Sequence, residues 1–206
     1  NAGQVIITAP TLSLNDATIT TSTSGVGNAG GITITTTGNT LSLANGSSIS
    51  SASTGTDAVI NLYVTTKPPG TAGNVTIAAT GSFTRDASSV ATSAEANHGG
   101  DISITAQSVQ LSGGSLITAN SKAPLVVTQL VLDQNGQLVE QVVGDGNAGN
   151  ITIHSGSTFV MNNSSITTGA TQASGGQVVI TAPDRVQLSN SKISTSVAGR
   201  DADTTG

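Results

Sequence analysis

The carboxylates and imidazoles of this chain are the side chains whose types could support catalysis or metal binding, and among its 206 residues there are only 11 Asp or Glu and two His. Hydrolysis of a polysaccharide needs two carboxylates that converge at a defined separation. The aspartates here stand singly, mostly beside Gly, Asn or Ala, where a local turn accounts for them. They include Asp16, Asp57, Asp86, Asp101, Asp145, Asp184 and Asp201. We therefore expect no catalytic residue, and we interpret the chain as a protein that is not an enzyme.

The histidines do not have the neighbours that a metal site requires. His98 lies in an Asn-His-Gly-Gly turn, and His154 follows the strand-like run Ile151-Thr152-Ile153 at an outward position. The single Gly99-Gly100-Asp101 is not the repeated nonapeptide of calcium-binding β-helices. Thiolate sites and disulfides are excluded because cysteine is absent. We expect two surface histidines, no metal and no cofactor.

The composition excludes several classes of partner. Charged residues make up 8% of the chain, where about 25% is ordinary, and the aromatic residues are one Tyr and two Phe. A nucleic-acid binder needs basic residues against phosphates and aromatic residues against bases, and both are scarce here. No apolar run reaches the roughly 18 residues that a membrane span needs. The surface is expected to carry hydroxyl and amide groups, with no nucleic acid and no membrane insertion.

A repeat with a base period of 27 residues determines where these side chains lie. Six segments share two small residues, one variable residue and then alternating β-branched positions: NAGQVII, NAGGITI, TAGNVTI, HGGDISI, NAGNITI and SGGQVVI. Their second small residues are Gly3, Gly30, Gly73, Gly100, Gly149 and Gly176, at intervals of 27, 43, 27, 49 and 27 residues. The two long intervals correspond to the base unit with insertions of 16 and 22 residues.

Each unit contains three short runs with the alternation of β-strands, separated by Gly, Asn and Asp. One unit cannot bury its apolar residues alone, whereas stacked units form continuous interior columns. The sequence therefore predicts an all-β fold, a parallel β-helix with three short strands per coil and about six coils. At a strand spacing of about 4.8 Å, six coils would extend roughly 29 Å.

The repeat also predicts which residues form the interior columns. The first strand contributes two columns: Val5, Ile32, Val75, Ile102, Ile151 and Val178, and then Ile7, Ile34, Ile77, Ile104, Ile153 and Ile180. The second strand contributes runs such as Leu12-Ser13-Leu14 and Val186-Gln187-Leu188. The third strand contributes one residue per unit: Ile19, Ile49, Val90, Leu116, Ile166 and Ile193. An aspartate in a first-strand column should disrupt its own coil and both contacts beside it.

Two insertions, at about 56–71 and 123–146, follow the third strand and should leave the solenoid at the same corner. The first contains an alternating run at 60–64 that stops before Pro68-Pro69. The second contains Asn135-Gly136 between two β-prone runs, which predicts a hairpin with a two-residue turn. In that register Gln134 faces Gln137, and Leu132 faces Val139.

These insertions have two interpretations. They are tolerated surface loops, or they form a small projecting sheet that contacts a partner, because their apolar residues exceed what an isolated hairpin needs. On the second interpretation the candidate partner contacts are Tyr63, Leu130, Leu132 and Leu138.

The outward face of the first strand raises the question of ice binding, because flat Thr-x-Thr arrays occur on ice-binding β-solenoids. Only the second unit supplies both threonines, Thr33 and Thr35, and threonine also suits any exposed strand. The Asn-x-Ser/Thr matches at Asn45, Asn74, Asn150, Asn162 and Asn163 are interpreted as turn asparagines.

The repeat resembles the hemagglutinin-type repeats of filamentous-hemagglutinin-like, two-partner-secreted exoproteins, and most closely the cyanobacterial ones. The resemblance rests on three runs and covers nearly all of the chain outside the insertions. These runs are Gly146-Asn147-Ala148-Gly149-Asn150-Ile151-Thr152-Ile153, Asn28-Ala29-Gly30-Gly31-Ile32-Thr33-Ile34 and Leu41-Ser42-Leu43-Ala44-Asn45-Gly46-Ser47-Ser48-Ile49-Ser50. It implies a right-handed β-helix, export through an outer-membrane transporter, and adhesion, aggregation or surface coating. It implies no catalytic residue.

These observations favour a single β-helix segment, residues 1–206, of a longer secreted chain that serves as a structural stalk or adhesin at a bacterial cell surface. The expected partners are other copies of the protein, a host or neighbouring cell surface, or carbohydrate. Three alternatives remain open: a self-assembling extracellular filament or layer, a carbohydrate- or ice-binding solenoid, and a polysaccharide-acting enzyme. Stacking also predicts that no column carries the same charged residue on successive coils, since like charges would repel.

Overall fold

A computed structural model describes residues 1–25, 27–55, 70–95, 97–122, 128–132, 137–142, 146–171 and 173–198. The strands in these ranges form three parallel six-stranded sheets and one antiparallel pair, and no described residue is helical. The chain visits the three sheets in turn, so that each circuit forms one coil of a solenoid. The parallel β-helix with three strands per coil and six coils is confirmed.

The first sheet contains the first strand of each coil, and every pair of neighbouring strands is parallel. Its strands, in spatial order, are β1 (Val5–Ala9), β4 (Ile32–Thr36), β7 (Val75–Ala79), β10 (Ile102–Ala106), β15 (Ile151–Ser155) and β18 (Val178–Thr181).

The second and third sheets follow the same coil order. The second contains β2 (Leu12–Asn15), β5 (Thr40–Ala44), β8 (Ser82–Asp86), β11 (Ser108–Ser112), β16 (Thr158–Asn162) and β19 (Arg185–Ser189). The third contains β3 (Thr18–Thr23), β6 (Ser48–Ser53), β9 (Ser89–Ala94), β12 (Leu116–Ser121), β17 (Ser165–Ala170) and β20 (Lys192–Val197).

The predicted first-strand columns form the core of the solenoid. The register pairs Val5 with Ile32, Ile32 with Val75, and so on through Ile151 with Val178. In the four middle coils the side chains of both first-strand columns are buried, whereas the outermost ones are partly exposed. Burial of one such side chain stabilises the fold by roughly 1.5–3 kcal/mol. β-branched residues recur at these positions because their side chains fit the pleated surface of a strand that stacks on the equivalent strand of the next coil.

The corner between the second and third strands contains a left-handed residue in every coil. In four coils it is a single residue, Asp16, Ala87, Asn163 or Asn190, with φ between 47° and 51°. In the other two coils it is a pair, Asn45-Gly46 and Gly113-Gly114, in which all four residues have positive φ. Gly and Asn tolerate this region because their steric penalty there is small. Two of the asparagines in Asn-x-Ser/Thr matches, Asn45 and Asn163, are therefore turn residues of this corner.

The predicted third-strand column is wrong at one position, because the buried residue of β12 is Ile117 and not Leu116. Ile117 pairs with Val90 and Ile166 and is 0% exposed, while Leu116 points outward and is 38% exposed. The reason is the two-residue corner Gly113-Gly114, which shifts the third strand by one position compared with a one-residue corner. A shift of one residue exchanges the two faces of a strand.

The glycine that begins each coil is required by close stacking. A Cβ atom at Gly30 would lie 1.9 Å from the Gly3 carbonyl oxygen, and one at Gly149 would lie 2.0 Å from the Gly100 oxygen. Gly73, Gly100 and Gly176 meet the carbonyl oxygen of the glycine one coil earlier at 2.1–2.2 Å. Only Gly176 of these has positive φ, so most of the column needs glycine because the backbones approach each other and not because of backbone conformation.

Buried hydroxyl groups of the third sheet satisfy carbonyl groups at this glycine corner. The Thr168 hydroxyl donates to the Gly175 carbonyl oxygen at 2.7 Å, and the Ser51 hydroxyl donates to the Gly30 oxygen at 2.9 Å. The Thr21 hydroxyl also donates to the Gly30 oxygen. These side chains occupy one column of the third sheet, in which Thr21, Ser51, Thr92 and Thr168 are hydrogen-bonded and only the fourth coil has an apolar residue, Ala119.

The second insertion contains an antiparallel pair, β13 (Thr128–Leu132) and β14 (Leu138–Val142), which follows β12 along the chain. Leu132 pairs with Leu138 and Val131 with Val139, so the predicted opposition of Leu132 and Val139 is wrong by one residue. Five residues separate Leu132 from Leu138, and this odd number is incompatible with the register of a two-residue turn. The predicted turn Asn135-Gly136 and the predicted run at 60–64 lie outside the described residues.

Candidate interaction surfaces

The corner at which each coil begins carries a ladder of amide and carboxylate side chains. The Asp101 backbone N–H donates to Asn74 Oδ1 at 2.9 Å, and the Asn150 N–H donates to Asp101 Oδ1 at 2.7 Å. The Gln177 N–H then donates to Asn150 Oδ1 at 2.9 Å. Each side chain thus accepts a hydrogen bond from the backbone of the next coil. The Asp101 carboxylate has a structural role here, as its turn context indicated.

A second ladder lies three residues earlier in each coil. The Asn28 N–H donates to Asn1 Oδ1 at 2.8 Å, the Thr71 N–H to Asn28 Oδ1 at 3.0 Å, and the Ser174 N–H to Asn147 Oδ1 at 2.9 Å. The sequence pattern indicates turn residues at Asn74 and Asn150, and neither ladder was predicted from it. The signal was available, because asparagine recurs at one position of the repeat where a side-chain acceptor meets the next coil.

The two ladders border an open groove of about 550 Å³ over the third to sixth coils. Its polar lining includes Asn74, His98, Asp101 and Asn150. The side chains of His98 and His154 are both exposed, as expected, but they lie at different places, because His154 belongs to the outward face of β15. Amide groups with one carboxylate and one imidazole suit hydrogen bonding. Among the described residues, no three His, Cys, Asp or Glu come together where they could hold a metal ion.

The outward face of the first sheet is polar but irregular. One column consists of Ile6, Thr33, Thr76, Ser103, Thr152 and Val179, and the other of Thr8, Thr35, Ala78, Thr105, His154 and Thr181. Only the second coil presents two threonines. Apolar residues interrupt the face at both ends, since Ile6 is 69% exposed. A fully regular threonine array, the arrangement that would have favoured ice binding, does not occur on this face.

The outward face of the third sheet is built from small residues. Its two central columns are Thr20, Ser50, Ala91, Thr118, Thr167 and Ser194, and then Ser22, Ala52, Ser93, Asn120, Gly169 and Ser196. Hydroxyl groups bond along the stack, as between Ser50 Oγ and Thr20 Oγ1 at 3.2 Å. Neither column contains a charged residue. This smoother face was not among the surfaces predicted from the sequence.

The candidate partner contacts are only partly described by the structure. Tyr63 lies outside the described residues. The backbone of the hairpin places Leu132 opposite Leu138, and Leu130 opposite Glu140. Two of the four residues are therefore brought together as a cross-strand pair, and their contact with a partner stays a prediction.

Arg85 occupies an interior column of the second sheet, between Leu43 and Leu111. Its side chain is 1% exposed. One guanidinium nitrogen, Nη2, donates to the Leu116 carbonyl oxygen at 2.9 Å and to the Ser88 carbonyl oxygen, while Nε and Nη1 have no hydrogen-bond partner. Desolvation by burial lowers the pKa of Arg85 to about 9. Arg85 was not among the predicted core residues, although its spacing from Phe83 matches that of Leu111 from Val109.

Within the described strands, the prediction that no column carries the same charged residue on successive coils is confirmed. Arg85 stacks on leucine, Arg185 on Thr158, Lys192 on Ser165 and Asp86 on Ser112, so no register pair in the three sheets joins two like charges. Where charges of neighbouring coils do meet, they are opposite: Lys122 Nζ lies 3.0 Å from Glu95 Oε1. This ion pair is exposed, so its contribution to stability is small.

Comparisons with protein-family models, with curated proteins and with solved structures found no match to this chain. The resemblance to hemagglutinin-type repeats therefore stays an interpretation of the sequence. The part of the chain that the structure describes contains no helix long and apolar enough to cross a bilayer.

Proposed function

We propose that this chain is a non-enzymatic stalk or adhesin segment of a secreted bacterial surface fibre. The observation that carries the proposal is the continuity of the three sheets, each of which runs through all six coils around one apolar core. Such a rod gains length by about 4.8 Å with each added coil and needs no separate domain interfaces. That is the mechanical property required of an element that holds a contact surface away from a cell.

The low charge of the lateral faces supports a role in surface contact. The two central outward columns of the third sheet contain no charged and no large apolar residue, so another flat surface can approach the backbone closely there. The hairpin β13–β14 follows β12 along the chain and belongs to none of the three solenoid sheets. We assign the stalk role to the coils and the adhesive contact to this hairpin.

The location of the protein tests the first part of the proposal. Antibodies against the folded chain should label intact bacteria of the source strain, and protease added outside the cells should remove the signal. A cytoplasmic protein labelled in the same cells serves as the control for cell integrity. Labelling that appears only after lysis would contradict the proposal.

Adhesion of coated beads tests the role of the hairpin. Beads that carry the chain should bind cells of the source strain or a host surface, and replacement of Leu130, Leu132 and Leu138 by serine should remove most of this binding. The matched control is a triple variant on the first-sheet face, Thr8→Ser, Thr35→Ser and Thr105→Ser. Equal adhesion by the hairpin variant and the control, with both folded by circular dichroism, would exclude the hairpin as the contact.

A further inference from the structure

We propose that the groove between the two ladders binds an extended, neutral, β-1,4-linked glycan, with one sugar unit beside each coil. The groove lies on the lateral surface of the third to sixth coils, at the corner where each coil begins. This inference goes beyond the proposed stalk role, and it concerns a surface other than the hairpin.

The groove has the size of a ligand site but a different lining. Its volume of about 550 Å³ lies within the range of about 300–1,000 Å³ that is usual for small-molecule sites. Such sites are lined mainly by apolar and aromatic side chains, whereas every lining side chain here other than alanine is polar. The lining alanines, Ala72 and Ala148, are buried and small. A ligand that fits must therefore carry polar groups along its edges and have no large apolar part, as a glycan does.

The ladder that contains Asp101 holds its polar atoms in fixed positions. Asn74 Oδ1 accepts from the Asp101 N–H, and Asp101 Oδ1 accepts from the Asn150 N–H. Both side chains are exposed, and within the described ranges Asn74 Nδ2 and Asp101 Oδ2 make no hydrogen bond. Because one oxygen of each side chain is already held by the backbone, a ligand need not order these groups, which favours affinity. One donor and one acceptor suit a row of hydroxyl groups, each of which can accept and donate.

The Asp101 carboxylate offers an oxygen that the ladder does not use. The ladder needs one side-chain oxygen in each coil, and asparagine supplies it in the third and fifth coils, at Asn74 and Asn150. Asp101, in the coil between them, adds a second oxygen that carries charge. Hydrogen bonds to an ionised acceptor are about twice as strong as neutral ones. We therefore assign Asp101 Oδ2 to the hydroxyl groups of the central sugar unit.

The spacing of the ladder favours a straight glycan over other chains. Its positions recur about every 4.8 Å, which is the strand spacing. An extended β-1,4-linked glycan is straight and advances by nearly this distance with each sugar unit, whereas an α-1,4-linked chain coils away from a straight row. A peptide strand presents the same face only every second residue, about 6.8 Å apart, and so does not match the ladder.

The charge of the groove favours a neutral glycan. Asp101 is the one acidic residue among the described lining residues, and none of them is lysine or arginine. The chain as a whole has a net charge of −5. A glycan with a carboxylate or sulfate on every unit would be repelled by Asp101, with no cation in the lining to offset the repulsion.

An NMR titration of the isotope-labelled chain with cellotetraose and with mannotetraose, both neutral and β-1,4-linked, tests the proposal. Binding through hydrogen bonds without aromatic stacking should have a Kd on the order of 1 mM, so the series covers about 0.1–10 mM. The backbone amide signals of Asp101 and Asn150 should shift and saturate, because their N–H groups donate to the ladder. Maltotetraose, the α-linked isomer of cellotetraose, should bind at least about tenfold more weakly, and so should tetramannuronate, which carries a carboxylate on every unit.

Asp101→Asn tests the assigned residue. The variant should fold as the unmodified chain does, because its Oδ1 can still accept from Asn150 and asparagine occupies the same position in the adjacent coils. It lacks the second carboxylate oxygen, so its Kd for the β-1,4-linked tetrasaccharide should rise about tenfold. Asp86→Asn is the matched control, because Asp86 is also exposed and lies outside the groove lining, and its Kd should not change.

Four results would overturn the proposal. They are the absence of saturable shifts with both β-1,4-linked tetrasaccharides, equal affinity for maltotetraose, an affinity that Asp101→Asn does not lower, and tighter binding of tetramannuronate. Binding that appears only after residues 125–143 are deleted would also contradict it, since the groove would then belong to the chain's own insertion. All of these measurements use the purified chain, so their failure leaves the tests of location and of hairpin adhesion unaffected.

Discussion

Arg85 places a guanidinium in a column that has Leu43 and Leu111 on the two neighbouring coils and Met161 one coil further on. Removal of a charge from water is costly, and replacement of buried ion pairs by apolar residues of similar volume often stabilises a protein by about 1–4 kcal/mol. We expect Arg85→Met to raise the free energy of unfolding by this amount in urea denaturation. Arg185→Met is the matched control, because Arg185 is exposed, and should change stability by less than about 0.5 kcal/mol. A loss of stability in Arg85→Met would show that the two hydrogen bonds of Nη2 outweigh desolvation.

The pH dependence of stability tests the same residue. Burial lowers the pKa of Arg85 from 12.5 to about 9, so above pH 9 the unfolded chain binds more protons at this group than the folded chain does. Stability therefore rises with pH through this window, and the cost of burial is fully present below it. We expect the stability gap between Arg85→Met and the unmodified chain to narrow between about pH 8 and about pH 11. If the difference in unfolding free energy between the two proteins does not change with pH, Arg85 keeps its proton over this range.

The glycine column makes a second prediction at the residue scale. A methyl group at Gly100 would lie 2.1 Å from the Gly73 carbonyl oxygen, so Gly100→Ala should destabilise the fold by about 1–3 kcal/mol or more. Gly25→Ala is the control, since nothing lies within 4 Å of its added methyl group. Thermal unfolding should separate the two variants clearly. Equal melting temperatures would contradict the steric role of the column.

At the scale of the elements, the corner between the second and third strands decides the register of each coil. Ala87 is the only alanine among the left-handed corner residues, and this conformation costs an L-residue roughly 1–2 kcal/mol. Ala87→Asn should therefore stabilise the chain by up to about 1 kcal/mol, because asparagine tolerates this region. The reverse change in the fifth coil, Asn163→Ala, should destabilise it by a similar amount. Urea denaturation of each variant beside the unmodified chain measures whether Ala87→Asn raises the free energy of unfolding and Asn163→Ala lowers it.

Most strands were predictable from the sequence because the alternation of apolar and polar residues and the 27-residue repeat indicate the same three strands in each coil. Leu116 and Ile117 show where this agreement ends. Both are apolar, both follow a glycine corner, and only the number of left-handed residues at that corner decides which of them enters the core. The hairpin has the same problem, because the Asn-Gly pattern favours a two-residue turn while the observed register requires an odd number of residues between the strands.

The interaction surfaces were less predictable than the fold, because they depend on which residues the stacking brings together. The ladder from Asn74 through Asp101 and Asn150 joins residues up to 49 positions apart. Its chemistry becomes visible only when the register is known, since each side chain accepts from the backbone of the next coil. Arg85 illustrates the opposite difficulty: the register was predictable, but its residue type argued against a position in the core.

At the scale of the whole molecule, stability is expected to depend on position along the stack. Each coil contacts only its neighbours, so a defect in the middle disrupts two interfaces and a defect at an end disrupts one. Ile104→Asp should lower the free energy of unfolding by more than about 4 kcal/mol, whereas Val5→Asp should cost about 1–2 kcal/mol. Hydrogen exchange should show lost protection on both sides of Ile104 and only local fraying near Val5. Equal losses for the two variants would contradict a stack of nearest-neighbour contacts.

The columns of identical residue types have a consequence for how such a protein changes in evolution. Because the coils share the stacked glycine and the two apolar columns of the first strand, the duplication or deletion of one 27-residue unit would leave these contacts with equivalent partners. Reach can therefore change in steps of one strand spacing while the packing at every step is conserved. Unequal recombination between such repeats would change the length of the rod by whole coils, so selection on reach could act without any redesign of the core.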